Sequence, residues 1–194
     1  MFLKNYYYYY TKLFSSKFCD YVIQTGNSLQ DQQAEIGGDL NSQEKGSKNL
    51  KTRNSNVVWI ENKDILYPIM KVMQEANKAS GWNFNLDLNL DLKAQFTKYA
   101  KGQHYDWHCD SSASNRNRKL SFTLNLSDPD TYKGGDFEFN YKDDTKNKRI
   151  EKLKVAKEKG SCIIFPSFLY HRVTPVKKGI RYSLVVWLMG DNWR

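Results

Sequence analysis

The spacing of apolar residues divides the chain into a helical first half and a β-rich second half. From Leu92 onward apolar and polar residues alternate, most clearly where Leu120, Phe122, Leu124 and Leu126 are separated by Ser121, Thr123, Asn125 and Ser127. This period of two predicts half-buried strands. Further strands are expected at about 137–141, 148–155, 161–165, 171–176 and 180–189. Short strands separated by turns, without intervening helices, predict a mainly β fold with a two-sheet jelly roll.

Two helices are predicted before the β region. Ser15 or Ser16 can cap the first, which is expected to run to about Thr25 and to stop at Gly26. Asn62 can cap the second helix. Apolar residues at helical spacing then form its buried stripe: Ile65, Leu66, Ile69, Met70, Met73 and Ala76.

A polar stretch from 27 to 55, rich in Gln, Asn, Ser, Gly and Lys, predicts a long loop before a short strand at 57–60. One hypothesis is that this loop is a lid that orders around an extended peptide. The length of 194 residues favours a single domain over 1–194. Within it, 1–91 would supply helical support and a mobile loop, and 92–194 would form the jelly-roll core.

The net charge of +9, from 30 basic and 21 acidic residues, raises the possibility of a nucleic-acid partner. Much of the positive charge lies between Lys142 and Lys159 and is interrupted by acidic residues, which favours a solvated hairpin instead. No run of about 18 apolar residues exists, so a membrane span is not expected. Three cysteines without a Cys-x-x-Cys pair predict no disulfide framework, a reducing compartment and a cytoplasmic location.

The tripeptide His108-Cys109-Asp110 is the first candidate for metal chemistry. Residues i and i+2 of a strand point to the same side, so His108 and Asp110 can bind one ion while Trp107 and Cys109 face away. With His171 they would form a facial triad of two imidazoles and one carboxylate, which binds non-haem Fe(II) and leaves positions open. The alternative for His171 is a buried structural histidine with a satisfied hydrogen bond.

Arg181 and Ser183 lie on one face of the last predicted strand, together with Val185 and Trp187. A guanidinium can bind a carboxylate through two parallel hydrogen bonds, and a neighbouring hydroxyl can add a third. Next to a metal, this pair predicts a pocket for a dicarboxylate. A surface salt bridge is the alternative for Arg181, but the strand is too apolar to be exposed.

These residues belong to a longer pattern that resembles prolyl-4-hydroxylase-like Fe(II)/2-oxoglutarate dioxygenases. The pattern consists of Tyr99-x-x-Gly102-x-x-Tyr105-x-x-His108-x-Asp110, Leu124-Asn125-Leu126-Ser127-Asp128, Gly134-Gly135-Asp136-Phe137, His171 and the stretch Arg-Tyr-Ser-Leu-Val-Val-Trp from Arg181. The resemblance covers about Phe96 to Trp187. It implies a double-stranded β-helix with N-terminal helical support. It also implies Fe(II), bound by the triad, and 2-oxoglutarate as cosubstrate.

The resemblance further implies roles for single residues. Tyr99 should reach the cosubstrate, whose distal carboxylate would pair with Arg181. Thr123 or Asn125 would add a contact, although oxygen-sensing members of the family tend to carry a tyrosine where Asn125 stands. Apart from the resemblance, two interpretations are open for Tyr105 and Trp107: plain packing, or walls of the substrate channel.

The implied reaction is decarboxylation of 2-oxoglutarate to succinate coupled to hydroxylation of a C–H bond, with ascorbate as a candidate reductant. The family favours a protein or peptide substrate, proline first. Two alternatives remain open: oxidative demethylation of nucleobases and a non-catalytic jelly-roll binding module. The demethylases usually carry a second arginine a few residues after the first, whereas Leu184-Val185-Val186-Trp187 stands here.

Overall fold

The computed structural model describes residues 5–29, 32–33, 52–88, 92–112, 115–143 and 147–192. This part of the chain contains two α-helices, two short 3-10 helices (Pro129–Thr131 and Lys154–Lys157) and fourteen strands. In chain order the main elements are β1 Tyr8–Tyr10, α1 Ser16–Ser28, β2 Gln32–Gln33, β3 Arg53–Asn54, β4 Asn56–Ile60, α2 Lys63–Ala79, β5 Ala94–Tyr99, β6 His104–His108, β7 Arg118–Asn125, β8 Lys133–Gly134, β9 Phe137–Asp143, β10 Asn147–Lys152, β11 Cys162–Pro166, β12 His171–Val173, β13 Val176–Lys178 and β14 Arg181–Met189.

Two antiparallel sheets make up most of the fold. The larger has seven strands in the order β1-β11-β7-β14-β5-β4-β2, and the smaller has five in the order β10-β9-β12-β6-β3. Strands β13 and β8 form a separate pair. The non-sequential strand order and the two sheets confirm the predicted jelly roll.

Both helices pack on the outer face of the seven-stranded sheet. Their apolar residues join the outward side chains of β5, β7 and β14 in one core, which includes Val22, Ile69, Met73, Phe96, Phe122, Leu124, Leu184, Val186 and Leu188. The alternation predicted from the sequence explains this core, because every second residue of β7 and β14 faces the helices. The remaining residues of these strands point towards the smaller sheet.

The start of α1 agrees with the prediction, but its end does not. Ser15 Oγ accepts a hydrogen bond from the Phe18 backbone N–H at 3.2 Å, as an N-cap does. The helix then continues past Gly26 to Ser28. Gly26 is a site of close approach rather than a stop, because a Cβ atom there would overlap the ring of Phe96.

The prediction for α2 is confirmed. Asn62 caps the helix by accepting a hydrogen bond from the Asp64 backbone N–H at 2.9 Å. Its buried residues are Ile65, Leu66, Ile69, Met73, Ala76 and Asn77, and Met70 packs beside them.

Two strand boundaries differ from the prediction. β10 ends at Lys152 and the chain turns into a 3-10 helix, so Val155 is not in a strand. The strand expected at 171–176 is divided into β12 and β13 at Thr174-Pro175. Proline has no N–H for a ladder, and the Thr174 N–H donates to the Asp136 carbonyl instead.

The ends of the predicted loop at 27–55 contain short strands. β2 pairs with β4, and β3 pairs with β6 in the smaller sheet. Residues 30–31 and 34–51, the greater part of the proposed lid, lie outside the described residues.

The cysteines occupy three different environments. Cys19 and Cys162 are buried and Cys109 is partly exposed, and none of the three forms a disulfide within the described residues. Burial raises the pKa of Cys19 to about 11 and that of Cys162 to about 12. Among the helices of the described part, none combines the length and the apolarity that a membrane span requires.

Candidate metal centre and adjoining pocket

Two neighbouring strands of the smaller sheet bring the candidate ligands together. His108 is the last residue of β6 and His171 the first of β12, and the two are directly paired across the strands. Asp110 lies two residues beyond β6, where its backbone N–H donates to the Ser167 carbonyl at 2.9 Å. The three ligand atoms all lie within 4.8 Å of one another. The structure therefore brings together the residues of the predicted triad.

Hydrogen bonds orient both imidazoles in the same way. Nδ1 of His108 lies 2.7 Å from the Asp106 carbonyl, and Nδ1 of His171 lies 2.9 Å from the Leu169 carbonyl. Because a carbonyl can only accept, each Nδ1 carries the proton and each Nε2 presents a lone pair. His108 Nε2 lies 3.6 Å from Asp110 Oδ1, and His171 Nε2 lies 3.5 Å from Asp110 Oδ2. Such spacings are too long for good hydrogen bonds and suit donors that share one ion.

The carboxylate of Asp110 is buried but remains ionised. Burial alone would raise its pKa, whereas the neighbouring side chains of His171, His108 and Arg118 hold the pKa well below its usual range. Ser121 Oγ donates to Asp110 Oδ2 at 2.6 Å and lies 2.9 Å from Ser167 Oγ. A chain of two serine hydroxyls therefore holds the carboxylate in its orientation.

Aromatic rings surround the histidines. The Phe165 and Phe137 ring centres lie 4.7 and 5.5 Å from that of His171, and the Tyr105 ring stacks on His108 at 3.4 Å. Burial, reinforced by the proximity of His108, lowers the pKa of His171 to about 4. His171 is thus neutral at ordinary pH, which is the form that binds metals.

A bulge in β6 changes which of its side chains face the centre. His108 pairs with His171 and Tyr105 with Val173, so β6 carries one residue more than β12 between these pairs. Tyr105 and His108 therefore share a side. Trp107 faces the other way, where the Arg172 guanidinium lies 4.4 Å from its ring.

A cavity of about 230 Å³ opens between the two sheets above the triad. Its walls include residues of both sheets and of their connections: Arg53, Trp59, Gln95, Tyr99, Tyr105, His108, Cys109, Asp110, Ser112, Asn115, Arg118, Thr123, Phe137, Phe165, His171, Val173, Ser183, Val185 and Trp187. Tyr105 lines this cavity, whereas Trp107, the other residue predicted for a channel wall, is not among the lining residues. Cys109, expected to face away, does line it, because β6 ends at His108 and the strict alternation ends with it.

Sequence reasoning missed two arginines of this cavity. The Arg53 guanidinium lies 4.5 Å from the Tyr105 ring centre, and that of Arg118 lies 4.2 Å from Trp187. Arg53 belongs to the stretch predicted to be a polar loop, so its burial followed only from the pairing of β3 with β6. Arg53 and Arg118 thus add two positive charges to the wall of the cavity.

Residues 94–189 match the family model described as the 2OG-Fe(II) oxygenase superfamily. Over these residues the chain belongs to that superfamily. A PKHD-type hydroxylase of Rippkaea orientalis is 37% identical over 97 residues, which cover 48% of this chain and 40% of that protein. One from Synechococcus elongatus is 38% identical over 103 residues, 50% of this chain and 42% of that protein. The matched segment thus spans about two fifths of the relatives' length.

Solved structures show the same fold over nearly the whole chain. A prolyl-4-hydroxylase of Pseudomonas putida superposes with a TM-score of 0.72 at 16% identity, covering 97% of this chain and 95% of that one. A collagen prolyl hydroxylase of Paramecium Bursaria Chlorella virus-1, solved as its 2OG complex, has a TM-score of 0.64 at 19% identity and covers 97% and 98%.

The superfamily implies Fe(II) and 2-oxoglutarate, and the residues present fit both. Two imidazoles and one carboxylate are the donor set of a facial iron site. Arg181 is buried, and its Nε and Nη1 atoms have no hydrogen-bond partner among the described residues. These two buried nitrogens need an acceptor for their N–H groups, which the carboxylate of a diacid can supply.

The other predicted pocket residues are spread around Arg181. Tyr99 is its direct cross-strand partner, with the ring centre 5.6 Å from the guanidinium carbon. Ser183, two residues along β14 from Arg181, lines the cavity, and so does Thr123 on the neighbouring strand β7. Arg181 itself lies next to the cavity rather than in its wall.

Asn125 does not occupy the expected position. Its side-chain amide donates to the Ser127 carbonyl at 2.8 Å and to the Lys157 carbonyl at 2.7 Å, and Asn125 is not among the residues that line the cavity. Both N–H groups are therefore used by backbone acceptors. Only Oδ1 remains, and an acceptor cannot bind a carboxylate. Asn125 therefore has no hydrogen-bond donor left for the carboxylate of the cosubstrate.

Proposed function

We propose that this chain is an Fe(II)- and 2-oxoglutarate-dependent oxygenase that hydroxylates a C–H bond in a protein or peptide, with proline as the first candidate residue. The observation that carries the proposal is the convergence of His108, Asp110 and His171 on one cavity, with the unpartnered guanidinium of Arg181 close by. Membership of the oxygenase superfamily over residues 94–189 gives this arrangement its chemistry.

In this proposal the triad binds Fe(II) through His108 Nε2, His171 Nε2 and the Asp110 carboxylate. Bound iron, with 2-oxoglutarate and dioxygen, supplies the oxidising power, so that one oxygen atom enters the substrate and the other enters succinate as carbon dioxide leaves. Arg181 holds the distal carboxylate of the cosubstrate, with Ser183, Thr123 and Tyr99 around it. Ascorbate would keep the iron reduced.

The surroundings of the triad assist this chemistry in two ways. The backbone carbonyls of Asp106 and Leu169 fix the imidazole orientation, so no reorganisation is needed when the ion binds. The rings of Tyr105, Phe137 and Phe165 limit the access of water to the histidine side of the centre.

A peptide substrate is supported by the similar proteins. The relatives are PKHD-type hydroxylases, and one solved neighbour, from Trichoplax adhaerens, is a prolyl hydroxylase in complex with a peptide fragment of hypoxia inducible factor. That neighbour has a TM-score of 0.68 at 16% identity and covers 96% of this chain and 84% of that one.

The test measures succinate release from 2-oxoglutarate with Fe(II) and ascorbate, in the presence of a library of proline-containing peptides. We expect peptide-dependent succinate and a mass increase of one oxygen in the peptides that react. His108→Ala and Asp110→Ala should abolish both signals, while His104→Ala, which changes the third histidine of the chain, should retain them. Succinate release that survives loss of His108 would overturn the proposal.

A second pair of variants separates the cosubstrate from the metal. Arg181→Ala should raise the KM for 2-oxoglutarate and leave the metal affinity unchanged. Arg172→Ala is its control, because Arg172 bonds to Glu138 and packs on Trp107 on the other side of β12. If Arg181→Ala keeps the wild-type dependence on 2-oxoglutarate, the carboxylate pocket has been placed wrongly.

A further inference from the structure

Arg181 is one of several buried polar groups in this region that have no partner. Among the described residues, Tyr132 Oη and Asn125 Oδ1 are also inaccessible to water and make no hydrogen bond. Tyr132 is only 2% exposed, so its hydroxyl has lost water without gaining a protein partner. Each such group lowers the stability of the fold, because it has lost its hydrogen bonds to water, and a ligand that supplies the missing partner removes this cost.

Gly135 lies next to both Tyr132 and Arg181. Its φ of +59° is a left-handed conformation, and a Cβ atom there would lie 2.8 Å from Arg181 Cδ and 3.5 Å from Tyr132 Cε2. Cδ carries the unpartnered Nε of the guanidinium, and Cε2 is bonded to the ring carbon that carries the hydroxyl. The two unpartnered donors therefore lie near one another beside Gly135.

The surrounding groups leave these donors for a ligand. The amide N–H groups of Asn125 are bonded to two backbone carbonyls, and Lys157 Nζ bonds to Asp136 Oδ1 at 2.6 Å while lying 5.7 Å from the Tyr132 ring centre. The Nε–H and Nη1–H groups of Arg181 and the hydroxyl of Tyr132 together offer four hydrogens. A carboxylate, with two oxygens and about four lone pairs, is the ligand chemistry that such a set fits.

We propose that the Tyr132 hydroxyl donates a hydrogen bond to the distal carboxylate of the dicarboxylate cosubstrate, next to the guanidinium of Arg181. The inference rests on the proposed function, since it assigns one more binding residue to the same pocket. The glycine at 135 is part of this arrangement, because a Cβ atom there would lie 2.8 Å from Arg181 Cδ and displace the side chain that carries the guanidinium.

The test is Tyr132→Phe, which removes the hydroxyl and keeps the ring. Calorimetry without oxygen, with Mn(II) as a redox-inert stand-in for iron, measures the Kd of 2-oxoglutarate. Loss of a hydrogen bond to a charged group should weaken binding by about 10- to 100-fold. The matched control is Tyr182→Phe, because Tyr182 stacks on Phe96 on the opposite face of β14. It should bind 2-oxoglutarate as the wild type does.

A second ligand and a second measurement separate binding from a structural role. 2-Oxobutanoate has the same 2-oxo acid head but no distal carboxylate, so wild type and Tyr132→Phe should bind it equally. Without ligand, Tyr132→Phe should be no less stable than the wild type in urea unfolding, since the lost hydroxyl had no partner. A structural hydroxyl would give the opposite result, with lower stability and unchanged discrimination between the two ligands.

Each outcome has one meaning. If the wild type with Mn(II) does not bind 2-oxoglutarate, the proposed function fails and this inference fails with it. If the wild type binds 2-oxoglutarate and Tyr132→Phe binds it equally well, the inference is wrong while the proposed function stands. If Tyr132→Phe weakens both ligands alike, the hydroxyl acts through the shape of the pocket and the inference is also wrong.

Discussion

Ser121 offers a direct test of how the protein supports the candidate metal centre. Its hydroxyl donates to Asp110 Oδ2 at 2.6 Å and lies in a fully buried position on β7. Ser121→Ala removes this oxygen and little else. The Asp110 carboxylate then keeps its buried charge but loses a short hydrogen bond that fixes its orientation.

The magnitude follows from the nature of that bond. A hydrogen bond to a charged group contributes about 1.5–3 kcal/mol. Residues that orient metal ligands typically contribute about 10- to 100-fold to metal affinity. We therefore expect Ser121→Ala to weaken Mn(II) or anaerobic Fe(II) binding by about 10- to 100-fold. The hydroxyl of Ser167, 2.9 Å from Ser121 Oγ, can move towards Asp110 and would place the loss at the lower end.

Metal titration by calorimetry measures the effect, and Ser161→Ala is the matched control. Ser161 is equally buried, and its Oγ accepts a hydrogen bond from the Lys12 backbone N–H at 2.9 Å, away from the centre. Both variants should lose free energy of unfolding, but only Ser121→Ala should lose metal affinity. Equal metal affinity in Ser121→Ala and the wild type would refute the idea that the serine orients Asp110.

Three further predictions concern other parts of the fold. Gly26→Ala should lower the free energy of unfolding by about 1–3 kcal/mol, because the new Cβ atom overlaps the Phe96 ring. Adding Phe96→Leu should restore part of this loss. Helix propensity alone predicts that Gly26→Ala is more stable than the wild type, and that result would contradict the prediction. Under native conditions at about pH 8, a thiol reagent should modify Cys109 and spare Cys19 and Cys162, because burial and a raised pKa keep these two thiols protonated and inaccessible. Peptide mapping that finds a buried cysteine modified first would contradict this prediction. Burial alone would raise the pKa of Asp136, but its two lysine partners hold that pKa below its usual value, so the stability it contributes should be present above about pH 4 and be lost at lower pH. Urea unfolding of Asp136→Asn and wild type should therefore differ at neutral pH and converge in acid; a constant difference would show that the charge is not responsible.

Much of the fold could be predicted because its signals are local. The alternation along β7 and β14 assigns one side of each strand to the outer core, and the cap at Asn62 starts α2 where expected. The candidate triad was also accessible, since histidine is scarce in this chain and the i, i+2 spacing limits the possible arrangements.

Features that depend on the approach of distant segments could not be predicted in the same way. Gly26 carries the ordinary signal of a helix end, and only the position of Phe96 across the core shows why it is a glycine. The bulge in β6 turns Tyr105 towards His108 and leaves Trp107 outside, a choice made by pairing with β12. Ser121 did carry a signal, because a polar residue on the inward side of a buried strand needs a partner.

The sequence by itself determined the two sheets, the helices and the identity of the candidate ligands, because strand alternation, caps and turns act over a few residues of backbone. Only the tertiary structure decided which polar side chains meet. Arg53 enters the cavity through strand pairing, Asn125 turns to backbone carbonyls, and Tyr132 comes beside Arg181 across a glycine. These contacts join residues far apart in the chain, and their geometry follows from sheet register and packing rather than from any local pattern.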